Sequence, residues 1–284
     1  MHISMPPVCL SFNCIECTGG SSGPADLKTF TALGCYGVLL ATGILNLGHK
    51  GTTSAAALPS IYMRMQLDGL PDWLPIAAVK VGLVPSADVM HMLARWLKDR
   101  PQIPLVLDPV LVNGLGLSLV DPEVVQTVED VLLPRATIVT PNRHEASMLT
   151  GEDECVSVPD MVRMATKIFD TWRCPTLVTG GVLNGQQADV FHGVDGSITF
   201  PTFAVGSTHV YGQGSCLSAA MTACLARGES LREAINLAHA YVERLGATSP
   251  NNPKLPSGHG PLCHCNTLQQ RENLDGWITA TQKH

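Results

Sequence analysis

The chain has 284 residues, 45% of them hydrophobic and 15% charged, with a formal net charge of −6 at pH 7. That apolar content suits a large buried core. The sequence has no basic block to make a nucleic-acid surface, no apolar run near the ~20 residues a membrane helix needs, and no basic-then-apolar start typical of a secretory signal. A cytoplasmic protein is expected. The ten cysteines are scattered through apolar segments, which fits reduced thiols rather than a disulfide framework. Cys14 and Cys17 have a metal-like spacing, and Cys263-His264-Cys265 could supply a second half. A CxxC without a matching CxxC argues for free thiols over zinc.

In chain order, residues 1–6 read as a loose leader and Pro7–Asn13 as a buried strand. The strand breaks at Thr18-Gly19-Gly20-Ser21-Ser22-Gly23-Pro24, and Ala25–Leu33 then has helical spacing with Gly34 as its stop. Val38–Thr42 is a predicted strand, Leu58–Leu70 a helix, Ile76–Gly82 a strand, Ala87–Asp99 a helix and Pro104–Val110 a strand. A loop rich in Gly and Leu leads to a predicted helix over Asp121–Leu133. Ala136–Thr140 is a strand closed by Pro141-Asn142, followed by helices over Arg143–Thr150 and Val158–Trp172. Pro175–Thr179, Ala188–His192 and Ser197–Phe200 are strands, the last two a hairpin around Val194-Asp195-Gly196. Val210-Tyr211-Gly212-Gln213-Gly214-Ser215-Cys216 runs into an Ala-rich helix over Ser215–Arg227, with Gly228 as its stop. A last helix covers Ser230–Leu245.

Strands that alternate with helices and are nearly continuous in apolar character predict an α/β fold. Its central sheet is mostly parallel and covered by helices on both faces. With no long linker and no internal repeat, one domain over 1–284 is expected, ending in a C-terminal tail over 266–284. Ligands in such folds bind at the carboxyl ends of the strands. The polar and glycine punctuation falls there: Asn13 onward, Gly82, Asp108, Asn142, Gly180-Gly181 and Gly212–Gly214.

Each of these features has two readings. Glycines at a helix start let backbone N–H groups and the helix dipole hold an anion, or they make a tight turn into a core helix. Asp108-Pro109 supports a metal ion, or is a strand-terminal turn. Asn142 and Glu145, three apart at a helix start, hold water around Mg²⁺, or serve the helix dipole. Asp26 bonds a polar ligand, or favours its helix N-terminus. Together on one rim they suggest phosphoryl transfer from a Mg-nucleotide.

A set of motifs runs in order over nearly the whole chain. It starts with Gly19-Gly20 and Ala25-Asp26-Leu27-Lys28-Thr29-Phe30, then Ala32–Gly37, Val79-Lys80-Val81-Gly82 and Pro104–Val112. Leu132-Leu133-Pro134, Thr140-Pro141-Asn142 with Glu145, Gly180-Gly181, Gly212-x-Gly214, Ala226-Arg227-Gly228 and Gly258–Leu262 complete it. On these residues the chain resembles the ribokinase-like superfamily. Within it, the chain looks like the hydroxymethylpyrimidine/phosphomethylpyrimidine kinases of thiamine synthesis, relatives of the pyridoxal kinases. The resemblance implies a ribokinase-like three-layer fold that uses ATP and Mg²⁺. The γ-phosphoryl group would pass to the hydroxymethyl of a small heterocyclic substrate, and in the thiamine branch to the resulting monophosphate. It also implies Gly20, Asp26, Leu47, Leu83 and Val112 on the ring side, and Asn142, Thr179, Gly181 and Gln213 on the nucleotide side. Asp108, Asn142 and Glu145 would serve the metal, Gly212 and Gly214 the anion hole, and Ser215 the catalytic position. No nucleic-acid or membrane partner is expected, and a homodimer is among the assemblies implied.

Several positions depart from the family pattern. The turn usually reads Thr-His-Gly-Thr-Gly followed by Cys or Asp, and here ends in Ser215, which has no group suited to accept a proton near neutral pH. Cys216 is one residue on, a rotation of ~100° around a helix. The first loop has Glu16-Cys17-Thr18 where the family has Asp-Pro-Ser. Leu47 stands for a ring-binding Gln, Thr179 for a Lys, and Leu83 for a Met. Two classes of function follow: an active kinase on a vitamin-like heterocycle, pyrimidine or pyridoxal, and a non-catalytic relative that binds such a ligand. Retention of Asn142 and Glu145 favours the kinase.

Overall fold

The computed structural model describes residues 5–48, 51–113, 116–153, 155–183, 186–202, 211–249, 254 and 260–264. Val210, Gly258-His259, Cys265, residues 1–4 of the expected leader and the tail over 266–284 lie outside the described residues. In chain order the elements are β1 (Val8–Ile15), α1 (Ser22–Ala32), β2 (Tyr36–Gly48), β3 (Gly51–Ala57), α2 (Ser60–Asp68), β4 (Ile76–Val81), α3 (Ala87–Lys98), β5 (Leu105–Leu107) and α4 (Pro122–Thr127). They continue with β6 (Ile138–Val139), α5 (Arg143–Thr150), α6 (Val158–Trp172), β7 (Thr176–Leu183), β8 (Gln186–Gly193), β9 (Gly196–Thr202), α7 (Gln213–Ala226) and α8 (Leu231–Thr248).

The nine strands form one sheet in the order β3-β2-β1-β4-β5-β6-β7-β8-β9. The pairs from β2 through β7 are parallel; β3 pairs antiparallel at one edge, and β8 and β9 at the other. Side chains alternate across the sheet as the strand period requires. Leu10, Phe12, Val79, Val81, Leu105, Leu107 and Val139 pack into one layer with residues of α2 to α6. Cys9, Val106 and Ile138 face the other layer, made by α1, α7 and α8. Both faces are therefore covered, and the carboxyl ends of the parallel strands are left as the open rim. No helix among the described residues is long and apolar enough to cross a membrane.

Three elements differ from the sequence reading. The second strand continues to Gly48 instead of ending at Thr42, because it turns back on β3 as an antiparallel hairpin. The helix expected over Asp121–Leu133 keeps α-geometry only to Thr127, passes through a π turn over Val128–Leu132, and ends in a 3₁₀ turn over Leu133–Arg135. Pro134 has no N–H to continue an α-helix. The strand expected to stop at Thr179 runs to Leu183, past a register shift at Gly180, whose φ of +83° suits glycine. Cys14 is buried and packs with Leu45 and Leu83, whereas Cys17 is exposed.

Candidate active site

The turn before α7 and the loop after β1 interlock. Gly212, the N-cap of α7, has φ +84°, and a Cβ there would overlap the Gly20 carbonyl. A Cβ on Gly20 would in turn meet Pro261 and the Tyr211 ring. Gly212 is held to glycine by the Gly20 backbone, and Gly20 by the side chains packed over it. Glu16 braces the loop: its Oε2 accepts from Thr18 N and Oγ1, both at 2.7 Å, and its Oε1 accepts from Ser21 N at 2.9 Å. The family's loop Asp is thus replaced by a longer carboxylate that still accepts the loop's own donors. Ser21 donates to the Tyr211 hydroxyl at 3.0 Å.

The first intrahelical bond of α7 runs from Cys216 N to Gly212 O at 2.9 Å. The N–H groups before it have no partner within the helix. Gly214 is exposed, with open space where a Cβ would stand. Together these make a turn able to receive an anion. Ser215 is half-buried, and its Oγ accepts from Ser22 N at 3.1 Å. Cys216 points the other way, fully buried, with its Sγ 3.5 Å from His264 Nε2. Burial pushes its thiol up to about 12, and burial also pulls His264 down to about 4. Burial thus favours the neutral form of both groups.

Of the residues expected on the ring side, Gly20 and Val112 are buried, and Leu47 is half-buried on the β2–β3 hairpin opposite Thr52. Leu83 is 1% exposed and belongs to the cluster with Cys14 and Leu45. Asp26, expected beside the ligand, is fully buried. It accepts from Ser11 Oγ at 2.6 Å and Asn13 Nδ2 at 2.9 Å, and pairs with Lys80. Burial pushes its carboxyl up, against the pull of these donors.

Asp108 lies just beyond β5, largely buried, and accepts from Ser218 Oγ at 2.7 Å. Asn142 caps α5: its Oδ1 accepts from His144 N and Glu145 N, and Glu145 Oε2 accepts from Asn142 N at 2.9 Å. This reciprocal capping box explains why the helix starts there. Glu145 also receives Leu111 N at 3.2 Å. Burial pushes its carboxyl up to about 8; backbone donors work against this and the Asp108 charge adds to it. The Asp108 charge that acts on Glu145 is already paired with the Lys80 ammonium, 3.4 Å from its Oδ2. Among the described residues no group of three or more His, Cys, Asp or Glu gathers around a point. The donor set fits Mg²⁺, which keeps several waters and takes one or two carboxylates with substrate phosphates.

Thr179 and Gln213, expected on the nucleotide side, line a cleft of about 200 Å³ beside the α7 turn together with Gly180, Gly214 and Leu217. Gly181 is in β7 opposite Ala188. Asp189 and His239 also line the cleft, and no motif marks either one in the sequence. Asp189 Oδ1 accepts from Gly180 N at 2.9 Å, and its Oδ2 lies 2.9 Å from His239 Nε2. His239 Nδ1 donates to Ile235 O at 3.0 Å, and its ring stacks on Phe200. Asp189 sits in an ordinary strand pattern and His239 on a helix 50 residues away, so only the fold pairs them.

A family model described as phosphomethylpyrimidine kinase matches residues 16–263. A hydroxymethylpyrimidine/phosphomethylpyrimidine kinase of Rhizobium meliloti is 34% identical over 92% of this chain and 97% of its own length. A pyridoxine kinase of Bacillus subtilis is 31% identical over 80% of this chain and 85% of its own. The crystal structure of an ADP complex of Bacillus subtilis pyridoxal kinase superposes with a TM-score of 0.83 at 29% identity, covering 94% of this chain and 100% of that one. The nine-stranded α/β architecture is the ribokinase-like fold.

Proposed function

This chain belongs to the phosphomethylpyrimidine kinase family, and we propose that it is a working phosphotransferase. It moves the γ-phosphoryl group of ATP onto the hydroxymethyl of hydroxymethylpyrimidine, or onto the resulting monophosphate. The observation that carries this reading is the α7 turn. Its amides, which have no partner within the helix, and the open space at Gly214 adjoin the cleft lined by Thr179, Gln213 and His239. A nucleotide in that cleft would bring its terminal phosphate to the turn, where the amides and the helix dipole stabilise the developing charge. Asp108 and Glu145, with water, would hold Mg²⁺, which supplies charge neutralisation on the phosphates. Ser215 orients and does not titrate. A loose transition state needs positioning more than a base, so loss of the base slows the reaction without abolishing it.

Leu47 stands where the family pattern has a ring-binding Gln, which removes a polar contact that would choose between a pyrimidine and a pyridine, so pyridoxal is the second substrate of this reading. The exposed Ile61, Tyr62 and Met65 of α2 are the face that a homodimer would bury. We place the protein in the cytoplasm. The test is ADP formation with Mg²⁺ and, in turn, hydroxymethylpyrimidine, its monophosphate and pyridoxal. Turnover that requires a ring, fastest with a pyrimidine, is expected. Ring binding by calorimetry without turnover would reduce the protein to a ligand-binding relative.

A further inference from the structure

Lys80 is a buried charge that none of these roles uses. It stands in β4 with 0% exposure, between Val79 and Val81, which face the opposite layer. Its ammonium meets three elements at once: Asp26 Oδ1 on α1, Asp108 Oδ2 beyond β5 at 3.4 Å, and the Ser215 carbonyl in the first turn of α7 at 3.0 Å. Ser218, one turn further on, lies 2.7 Å from Asp108 Oδ2 and 2.8 Å from the Gly214 carbonyl. The first turn of α7 is therefore tied to Asp108 twice, once through Lys80 and once through Ser218.

The buried ammonium faces two carboxylates, Asp26 and Asp108, which offset its desolvation. The charge is kept, at the expense of desolvating three ionic groups. Stability does not call for this, since well-packed apolar residues often replace buried ion pairs without loss. What an apolar residue could not do is hold a carbonyl and a carboxylate at a fixed spacing.

We infer that Lys80 is a positioning residue for phosphoryl transfer. It fixes the Ser215 carbonyl against Asp108, so the amides of the α7 turn and the Asp108 carboxylate keep their relative places around the transferring group. This rests on the phosphotransferase reading above. A displacement of ~1 Å at such a site costs on the order of 10²-fold in rate.

The test compares Asp26→Asn with Asp26→Asn/Lys80→Met, since the double variant leaves no ammonium and no stranded Asp26 charge, while Asp108 keeps its Ser218 donor. Relative to Asp26→Asn, the double variant is expected to lose about 10- to 100-fold in kcat while KM for ATP and for the ring stays within about 3-fold. Lys80→Gln in the same background keeps an N–H donor toward Ser215 and should recover part of the loss. Equal kcat in the double variant and Asp26→Asn, or a change confined to KM, would overturn the inference. So would a double variant that fails to fold, which would make Lys80 a core residue. Wild-type protein without turnover on any ring would overturn the phosphotransferase reading itself, and with it this role.

Discussion

Glu145 accepts the Leu111 amide at 3.2 Å, so the first turn of α5 holds the loop that follows β5 and carries Val112. The carboxyl responsible is buried and titrates near 8 rather than near 4.5. The folded state therefore binds this proton more tightly than the unfolded chain does. The resulting stability is complete below about pH 4.5 and is lost as pH rises through about 8. Glu145→Gln should flatten the fall in Tm across this window. It should also lower Tm at pH 5, because an amide nitrogen replaces one acceptor. Thermal melts at half-unit pH steps measure both effects, and an unchanged slope would mean that Glu145 is ionised in the fold.

Ser215→Cys should raise kcat, by about 10-fold or more, because it restores a titratable group where general base catalysis is typically worth 10²–10⁴-fold. Cys216→Ser should leave kcat within about 3-fold, since Cys216 is buried and faces His264. Steady-state rates of the two variants side by side make the comparison. A loss confined to Cys216→Ser would mean that the neighbouring thiol takes the part of the base.

His239→Ala should raise KM for ATP about 10-fold and leave KM for the ring unchanged. The imidazole orients Asp189, which accepts from Gly180 N on the wall of the cleft. An equal change in both constants would place the nucleotide elsewhere.

Asn142→Ala should cost about 1 kcal/mol, the usual worth of an N-cap, and lower Tm by roughly 2–4 °C. Differential scanning calorimetry reads this directly. A much larger loss would mean that the α5 cap also holds the neighbouring strand end, where Asn142 pairs with Thr179.

The helices over Arg143–Thr150 and Val158–Trp172 are legible to the residue, because a polar cap opens each one. The β3 strand is not legible. Gly51-Thr52-Thr53-Ser54-Ala55-Ala56-Ala57 has little strand preference and forms only against β2. The same division runs through the site. Gly20, Gly212 and Gly214 stand out in the sequence as a glycine pattern, and at Gly212 the fold shows why, since a Cβ there would overlap the Gly20 carbonyl. The Lys80–Ser215 link spans 135 positions, and nothing local to either residue announces it. Asp26 reads in the sequence as a ligand contact or a helix-start residue, and the fold adds its buried pairing with Lys80.

The most direct measurement is transfer of labelled γ-phosphoryl from ATP to hydroxymethylpyrimidine, by the wild type and by Gly212→Ala. Label on the ring alcohol with the wild type, reduced on the order of 10²-fold or more in a folded Gly212→Ala protein, is the predicted result. Wild-type protein that binds the ring and leaves ATP intact, or a Gly212→Ala variant that transfers label as well as the wild type, would contradict it.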